Sequence, residues 1–451
     1  MQTQRDHVHA HQFMMGRLSS ALVLGDPSGA EVPGRRALTG LVFGVLIAVL
    51  VVAGFGVYGW IVPGGSTAYR QPGLILVEKE TGSRYVYADG LLHPVIDRPA
   101  AMLWQGPSAK VKLISQASLA DVPRGDVLGI PDGPREIPAP QSFVAGPWLA
   151  CLSGRPGDSG RGGLGMNLDP RAPATPIPPE RLIVVRDPGD KIHLIAQGSR
   201  FRVTDDAVLV ALGISAGDAI PAPEPWLSQL PAGPDLAPAG IDGEGRDGPR
   251  IAGRSYDVGT LFRQNAGAAG EQFFVLRKDG LAALSETEFL FAGVRSRSAP
   301  VTLAGADLLE APRSADRTLL DRLPDLAGAA EHRLDDRVLC LRQTPTAANT
   351  VYSVLVEAPR TMAVDANGRG VVFGPAGGGM AVYGVPVASG TAPPVVFVSS
   401  GGVAFALKDA QAAAALKINQ VRPVPFPREL LATFRQGPTL SREAVTFLAE
   451  G

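Results

Sequence analysis

The chain has 451 residues, of which 45% are apolar and 19% charged, so its apolar content is high enough to form packed cores. Its 42 Lys and Arg residues against 43 Asp and Glu residues give a net charge of −1, which argues against a general nucleic-acid-binding surface. The 54 glycines and 40 prolines predict many turns and some disordered loops.

Residues 1–37 contain the first predicted helix. Its apolar residues recur at helical spacing and form one stripe: Val8, Met15, Leu18 and Leu22, with Phe13 and Met14 beside them. Gly25-Asp26-Pro27 ends this helix. We expect the stripe to contact a partner or the membrane surface; a marginal helix that packs on nothing is the alternative.

Three histidines in the same segment, His7, His9 and His11, raise the question of a metal site. His7 and His11 share one helix face, but no carboxylate-and-histidine signature accompanies them. We therefore interpret them as solvated polar residues.

An uncharged stretch from Leu38 to Val62 predicts a transmembrane helix. Its 25 residues, at 1.5 Å each, can cross a hydrocarbon core about 30 Å thick. Arg35 and Arg36 precede it, and no further Lys or Arg follows until Arg70. This asymmetry predicts a cytoplasmic N-terminus and an extracytoplasmic C-terminal part.

Two other interpretations of this stretch are weaker. A cleaved signal peptide does not fit, because the apolar run is too long and Tyr-Gly-Trp-Ile-Val-Pro lacks a small-residue cleavage site. A buried core helix rarely stays apolar on all sides for this length. The Gly40-x-x-x-Gly44 spacing indicates helix pairing only weakly.

Beyond Pro63 the chain becomes rich in predicted strands. Leu74–Val77 and Tyr85–Tyr87 flank a polar turn and predict a β-hairpin. Leu91–Val95 continues this sheet, and Val111–Ile114 follows. Residues 153–179 contain almost no apolar side chain that a core would accept, so we expect a flexible loop there.

A repeat is visible when the sequence is compared with itself. Residues 198–236 match residues 402–440 without gaps, and Asp205 and Asp409 fit as N-caps of equivalent helices. A weaker copy begins at Gly90 and ends at Pro131-x-Gly133-Pro134; a fourth begins near Gly280. Each copy predicts strand, turn, strand, helix and a proline-rich tail.

Between the copies, a second strand-rich layer is predicted. Its strands are expected at 254–262, 337–343, 350–357 and 381–387. Cys340 lies in this layer, and the only other cysteine is Cys151. Two cysteines in an oxidising compartment most simply form one disulfide, and without clustered histidines they cannot build a closed zinc site.

No catalytic signature survives inspection. Gly374-Pro-Ala-Gly-Gly-Gly379 has P-loop-like glycines, but Met380 and Ala381 stand where Lys and Ser or Thr are needed. Gly160-x-Gly162-x-x-Gly165 follows no predicted strand. Gly213-Ile-Ser-Ala-Gly217 has the nucleophile-elbow pattern without an identifiable triad. We predict no catalytic, cofactor-binding or metal-binding residue.

Several stretches together resemble the EccB family, a membrane component of actinobacterial type VII (ESX) secretion systems. The residues that carry the resemblance are Arg5–Met14 with Arg17-Leu18 and Ala21-Leu22, Gly54–Gly59, Val77–Tyr87, Leu92–Val95, Pro123–Gly125 and Gly129–Asp132. The repeats and the cysteine pair extend the resemblance to the C-terminus. The 153–179 segment and a divergent third repeat depart from the family.

The resemblance implies a single-pass membrane protein with an α+β extracytoplasmic region. In that region, four small repeat domains, similar to a phage-lysin wall-binding fold, surround a β-rich central domain with one disulfide, in an elongated, pseudo-symmetric arrangement. The implied partners are the EccC ATPase, EccD, EccE and the mycosin protease, with self-association of the periplasmic domains.

The predicted domains follow from these observations. They are a cytoplasmic helix (1–37), the transmembrane helix (38–62), repeat 1 (70–140), a central domain (141–152, 247–270 and 335–395), a flexible loop (153–179), repeat 2 (180–246), repeat 3 (271–334) and repeat 4 (396–451).

The sequence thus predicts a structural subunit of the type VII membrane complex that supports protein export. A membrane-anchored ATPase or hydrolase of the same system is the alternative. A wall-binding anchor is compatible with the structural role.

Overall fold

Two long helices form the N-terminal part of the chain. α1 spans Gln4–Leu24 and α2 spans Arg35–Ile61 in a computed structural model that describes residues 4–25, 35–61, 67–158, 162–267, 270–375, 378–387 and 393–448. Gly25, at φ +69°, follows α1 in the left-handed conformation that often ends a helix. Both helices agree with the prediction, although Asp26, Pro27 and Val62 lie outside the described residues.

The chain divides into two compact units. The first contains residues 1–70, 78–81 and 113–122, and therefore both long helices. The second contains the remaining residues, and therefore nearly all of the strands. The packing described below belongs to the second unit.

Sheet 1 and the beginning of the central sheet come first along the chain. Their elements are β1 (Leu74–Glu78), β2 (Arg84–Ala88), β3 (Leu91–Pro94), α3 (Arg98–Gln105), β4 (Lys110–Ile114), α4 (Gln116–Leu119), β5 (Val127–Gly129), β6 (Trp148–Leu152), β7 (Leu164–Asn167) and β8 (Thr175–Pro176). Ile75 pairs with Val86 across the antiparallel β1–β2 hairpin, which confirms the predicted hairpin.

Sheets 2 and 3 follow. Their elements are β9 (Arg181–Arg186), β10 (Ile192–Ala196), β11 (Ser199–Arg202), α5 (Ala207–Ala211), β12 (Ile220–Pro221), α6 (Glu224–Leu227), β13 (Leu261–Asn265), β14 (Glu271–Arg277), β15 (Gly280–Leu284), α7 (Glu286–Arg295), β16 (Val301–Thr302), α8 (Gly305–Glu310) and α9 (Thr318–Asp321).

The rest of the central sheet and sheet 4 complete the chain. Their elements are β17 (Ala330–Glu331), β18 (Arg337–Pro345), β19 (Val351–Pro359), β20 (Val372–Phe373), β21 (Met380–Val385), β22 (Val396–Val398), β23 (Val403–Ala406), α10 (Ala410–Ala415), β24 (Val424–Pro427), α11 (Arg428–Leu431), β25 (Arg435–Gln436) and β26 (Thr446–Leu448). Two of these strands belong elsewhere: β17 pairs with β9 of sheet 2, and β26 pairs with β5 in a separate two-stranded sheet. Short 3-10 turns lie at 67–70, 140–142, 216–218, 360–362 and 418–420.

All four small sheets share one strand order: third, second, first, fourth. The orders are β3-β2-β1-β4, β11-β10-β9-β12, β15-β14-β13-β16 and β23-β22-β21-β24, with β25 as a fifth strand beside β23 in sheet 4. The fourth strand runs parallel to the first in sheets 2, 3 and 4. A helix follows the third strand each time, as the repeat pattern predicts.

Aspartate side chains accept backbone hydrogen bonds at the start of three of the helices that follow a third strand. The Asp409 carboxylate accepts a hydrogen bond from the Ala412 N–H at 2.8 Å, and the Asp97 carboxylate accepts one from the Ala100 N–H at 2.7 Å. Asp205 accepts from the Ala207 N–H at 3.1 Å, but the N-cap of α5 is Asp206, so the prediction of Asp205 as the N-cap was wrong by one residue. These aspartates therefore satisfy backbone donors that the first helical turn leaves free.

The central sheet has the order β20-β7-β6-β18-β19-β8. Its largest core contains Trp148, and residues of sheets 2 and 4 such as Ile220 and Phe426 belong to the same core. Sheets 1 and 4 share another core and contact each other through α3 and α10. Sheets 2 and 3 meet through α5 and α7. The repeats thus form two pairs.

The prediction of a flexible loop at 153–179 was wrong for its described residues. β7 lies inside the central sheet, and Met166 and Leu168 are buried. A Cβ on Gly165 would lie 2.0 Å from the Ala363 carbonyl oxygen, so the glycine here permits close backbone packing rather than mobility.

Two strands predicted for the central layer belong to small sheets instead. β13 is the first strand of sheet 3, and β21 is the first strand of sheet 4. The central assignments of 247–270 and 381–387 were therefore wrong in this respect. Short apolar strands look alike in sequence, and only long-range pairing decides which sheet they join.

The tail assigned to the first copy was also wrong. Leu92 bridges to Arg124, as Arg200 bridges to Ala232 in sheet 2. Gly125, not Gly133, is therefore the structural equivalent of Gly233. The exact domain limits remain predictions.

Candidate functional site and assembly surfaces

The apolar stripe of α1 is open to solvent. The exposed fractions of its four predicted contact residues are 55% for Val8, 57% for Met15, 60% for Leu18 and 80% for Leu22. At 3.6 residues per turn these positions fall on one side of the helix. The structure therefore brings the predicted residues together on one face.

The helix α2 carries the only segment, among the described residues, that is long and apolar enough to span a membrane. This segment runs from Ala37 to Gly59, has a mean hydropathy of 2.7 and buries none of its surface within the protein. An apolar helix of this kind needs a lipid environment.

The two cysteines meet in the middle of the central sheet. Cys151 on β6 lies directly opposite Cys340 on β18, and the two are joined by a disulfide across 189 positions of sequence. Both cysteines are fully buried, in a small core with Val338 and Ala363. The predicted disulfide is therefore present.

Sequence reasoning missed a buried polar network on these strands. The Trp148 Nε1–H donates to Gln343 Oε1 at 2.8 Å, and Gln343 Nε2 donates to Ser353 Oγ at 3.2 Å. The Trp226 Nε1–H donates to the Ala150 carbonyl at 2.9 Å. The available signal was Gln343, an amide on the strand that contains the apolar run Val338–Leu341, because a buried amide requires partners.

A second missed feature ties sheet 3 to the preceding linker. The guanidinium of Arg322 contacts both oxygens of Glu288, whose side chain is 1% exposed, and donates to the Ala237 carbonyl at 2.9 Å. A buried carboxylate of this kind needs its cation, since an unpaired charge would be strongly destabilising.

The buried carboxylate of Asp97 and the half-buried carboxylate of Asp187 have shifted pKa values for structural reasons. Burial raises the pKa of Asp97, although the Ala100 and Ile130 N–H groups donate to it. Burial opposes ionisation of Asp187 as well, but its hydrogen bond with His193 leads the contacts that lower its pKa. Both carboxylates hold backbone turns, and neither lies in a catalytic cluster.

The glycine-rich segment at 374–379 does not form a phosphate cradle in its described residues. A Cβ on Gly374 would lie 1.9 Å from the Ser400 carbonyl oxygen, and one on Gly379 would lie 2.6 Å from the Phe397 ring. Met380 is fully buried in β21. These glycines allow close packing; positions 376–377 lie outside the described residues.

The described residues of the nucleophile-elbow and dinucleotide signatures make structural contacts. Ser215 Oγ accepts a hydrogen bond from the Gly217 N–H, so it caps a 3-10 turn. Gly162 packs against the Pro221 carbonyl, and Gly160 lies outside the described residues. No group of three or more His, Cys, Asp or Glu side chains that would hold a metal occurs within the described ranges.

These features define a class: a membrane protein with one spanning-length helix among its described residues and a disulfide-linked, sheet-rich α+β region. The family model for the type VII secretion system ESX-1 transport TM domain B, EccB, matches residues 1–451. The chain belongs to this family, and the resemblance inferred from its sequence is confirmed.

Curated relatives are similar over nearly their full lengths. The chain is 26% identical to the ESX-5 secretion system ATPase EccB5 of Mycobacterium tuberculosis, covering 97% of this chain and 92% of that protein. It is 27% identical to the ESX-3 secretion system ATPase EccB3 of Mycolicibacterium smegmatis, covering 97% and 89%.

Solved structures have the same fold. One chain of the intact ESX-5 inner membrane complex matches with a TM-score of 0.62 at 23% identity, covering 100% of this chain and 96% of that one. The periplasmic assembly of the ESX-5 complex matches at 0.66 and 24%, covering 87% and 98%. An EccB3 dimer from the ESX-3 core complex matches at 0.59 and 23%, covering 83% and 100%.

Proposed function

We propose that this protein is a non-catalytic structural subunit of a type VII secretion membrane complex. The observation that carries this proposal is the architecture: one exposed apolar helix joined to a body of four small sheets around a disulfide-linked central sheet. Such a body offers wide surfaces for contact between subunits. The related chains come from an inner membrane complex and a dimer, which supports assembly with other subunits and with itself.

In this proposal the N-terminus is cytoplasmic and the sheet-rich region is extracytoplasmic. Arg35 and Arg36 precede the apolar segment, in keeping with the positive-inside rule. The buried disulfide supports the same orientation, because disulfides persist in oxidising compartments.

The exposed stripe of α1 is proposed to bind the ATPase subunit, EccC, on the cytoplasmic side. EccD, EccE and the mycosin protease are the further partners proposed from the family. A single helix cannot enclose a conduit, so any channel requires helices from other subunits.

The test of this role replaces two stripe residues, Met15→Asp and Leu18→Asp together. We expect the sheet-rich region to keep its melting temperature while co-purification with the ATPase subunit and secretion both fall. The matched control, Ala10→Asp with Phe13→Asp, adds the same charge outside the stripe. Equal loss in both variants, or no loss in either, would contradict the proposed docking.

A membrane-anchored ATPase is the competing function, since the names of the curated relatives contain that word. Our proposal predicts no ATP hydrolysis by the full-length chain purified without other subunits. Gly379→Ala is a poor probe of this alternative, because its Cβ would collide with Phe397. Hydrolysis that elutes with the chain through two different columns, together with a melting temperature raised by ATP, would favour the enzyme.

A further inference from the structure

The fourth strand of sheet 1 is uncovered, in contrast to its counterparts in sheets 2 and 4. β12 is buried throughout, and three of the four residues of β24 are buried, with β24 in contact with β18 and β19. In β4 the first four residues are exposed. Val111 is 56% exposed on this open edge, which makes β4 a long uncovered edge strand.

The exposed part of β4 is basic. Lys110 and Lys112 flank Val111, and the Lys417 ammonium donates to the Pro107 carbonyl, three residues before the strand. Lys417 has φ +62°, whereas its repeat equivalent is Gly213 at φ +70°. A lysine in this left-handed position carries a steric cost that glycine avoids. The hydrogen bond to Pro107 holds the Lys417 ammonium beside the start of β4.

The acidic groups nearby already have partners. Asp409 accepts the Ala412 N–H, and Glu443 pairs with Lys408 at 3.2 Å. Arg442 lies over the Trp104 ring at 5.4 Å and adds a further positive charge. The three lysines Lys110, Lys112 and Lys417 therefore give this end of sheet 1 a positive surplus.

The covalent chain sets an upper limit on the distance between the end of α2 and this end of sheet 1. α2 ends at Ile61, and the Lys110 N–H donates to the carbonyl of Gly73, twelve residues further on. Twelve residues span at most about 40 Å when fully extended. This length allows the start of β4 to reach a bilayer that surrounds α2.

We propose that Lys110, Lys112 and Lys417 form a surface that binds the anionic face of a phospholipid bilayer. Lys110 and Lys112 project from the same face of β4, because side chains alternate along a strand, and lipid phosphates attract lysines. This contact fixes how sheet 1 stands on the membrane, which the proposed structural role leaves undetermined.

The experiment measures backbone hydrogen exchange of residues 107–113 in the full-length chain in lipid nanodiscs. We expect slower exchange with added phosphatidylglycerol than in phosphatidylcholine alone, and loss of the difference at high salt. Each lysine should change the equilibrium constant for binding to the anionic bilayer by about fivefold. Lys110→Gln with Lys112→Gln, and separately Lys417→Gln, should therefore reduce the protection.

The matched control is Lys191→Gln with Lys278→Gln, two exposed lysines on sheets 2 and 3. It should keep the lipid-dependent protection, and melting temperatures in detergent show that every variant is folded. Equal exchange in both lipids overturns the proposal. So does protection in phosphatidylcholine alone, which indicates a protein on the edge, or protection by inorganic phosphate alone, which indicates a simple anion site.

Discussion

Three of the small sheets place a glycine against an aromatic ring at the same point. A Cβ on the glycine would lie 2.1–2.4 Å from the ring atoms. The pairs are Gly125 with His93, Gly233 with Phe201 and Gly437 with Phe405. The ring lies on the third strand and the glycine on the segment that returns beside it.

Sheet 3 solves the same packing problem differently. Leu281 bridges to Arg313, so the equivalent positions are Ala282 and Ser314. A smaller side chain on the strand leaves room for a larger one on the returning segment. The small Ala282 and the larger Ser314 thus fill a volume similar to that of a ring and a glycine in the other sheets.

Gly233→Ala should destabilise the protein by roughly 1–3 kcal/mol, because the added methyl must displace the Phe201 ring. Chemical denaturation or the melting temperature of the purified chain measures this loss. Gly240→Ala is the control, since nothing lies within 4 Å of its Cβ position. Equal stability of the two variants would contradict the packing argument.

The pKa of Glu443 provides a second test at the residue scale. Its own backbone N–H, the Ser441 hydroxyl and the Lys408 ammonium lower that pKa to about 2. A lowered pKa means that the ionised form is favoured in the folded state. The associated stabilisation is present above the ordinary value of 4.5 and is lost as the pH falls towards 2.

Ser441→Ala and Lys408→Ala should each raise the pKa of Glu443 towards 4.5. A carboxyl NMR titration of the folded chain measures the change. Lys278→Ala, on sheet 3, should leave the titration of Glu443 unaltered. A wild-type midpoint already near 4.5 would show that these contacts are absent in solution.

At the scale of elements, the central sheet depends on strands that are distant in sequence. β6 pairs with β18, and β7 pairs with β20. The disulfide crosses the β6–β18 pair and closes a loop of about 190 residues. In the chain-entropy account, a loop of this size restricts the unfolded chain by about 5 kcal/mol.

Cys151→Ala with Cys340→Ala should therefore lower the free energy of unfolding by up to about 5 kcal/mol, and by less if the reduced chain retains structure. Urea unfolding with and without reductant measures the difference. The wild-type chain under reducing denaturation should approach the variant. Free thiols at both positions in the native wild-type chain would refute the disulfide.

At the scale of the whole molecule, orientation across the membrane is the decisive property. A reporter fused after Val23 should behave as cytoplasmic, and one fused after Gly451 as exported. The physical reason is the arginine pair at the start of α2, just before its apolar segment, and the absence of Lys or Arg between that pair and Arg70. The reverse pattern would overturn the proposed topology and the docking role of α1 with it.

The sequence alone determined the features that depend on local or compositional physics. The apolar helix follows from the length of an uncharged run, and the β1–β2 hairpin from alternating apolar residues around a polar turn. The cysteine pairing follows because the chain has only two cysteines. The cap position Asp409 follows from an acidic residue that precedes a short helix, whereas the N-cap of α5 is Asp206, one residue after the predicted Asp205.

Only the tertiary structure decided which strands belong to which sheet. The strand within residues 162–167 could not be predicted from the sequence, because this glycine-rich segment forms a strand only by pairing with residues far along the chain, such as Val372. β13 and β21 were misplaced for the same reason. The choice of Gly125 over Gly133 depended on a ring, His93, that the sequence does not mark as a neighbour. Long-range pairing and close packing are set by the assembled core, and a local pattern contains neither.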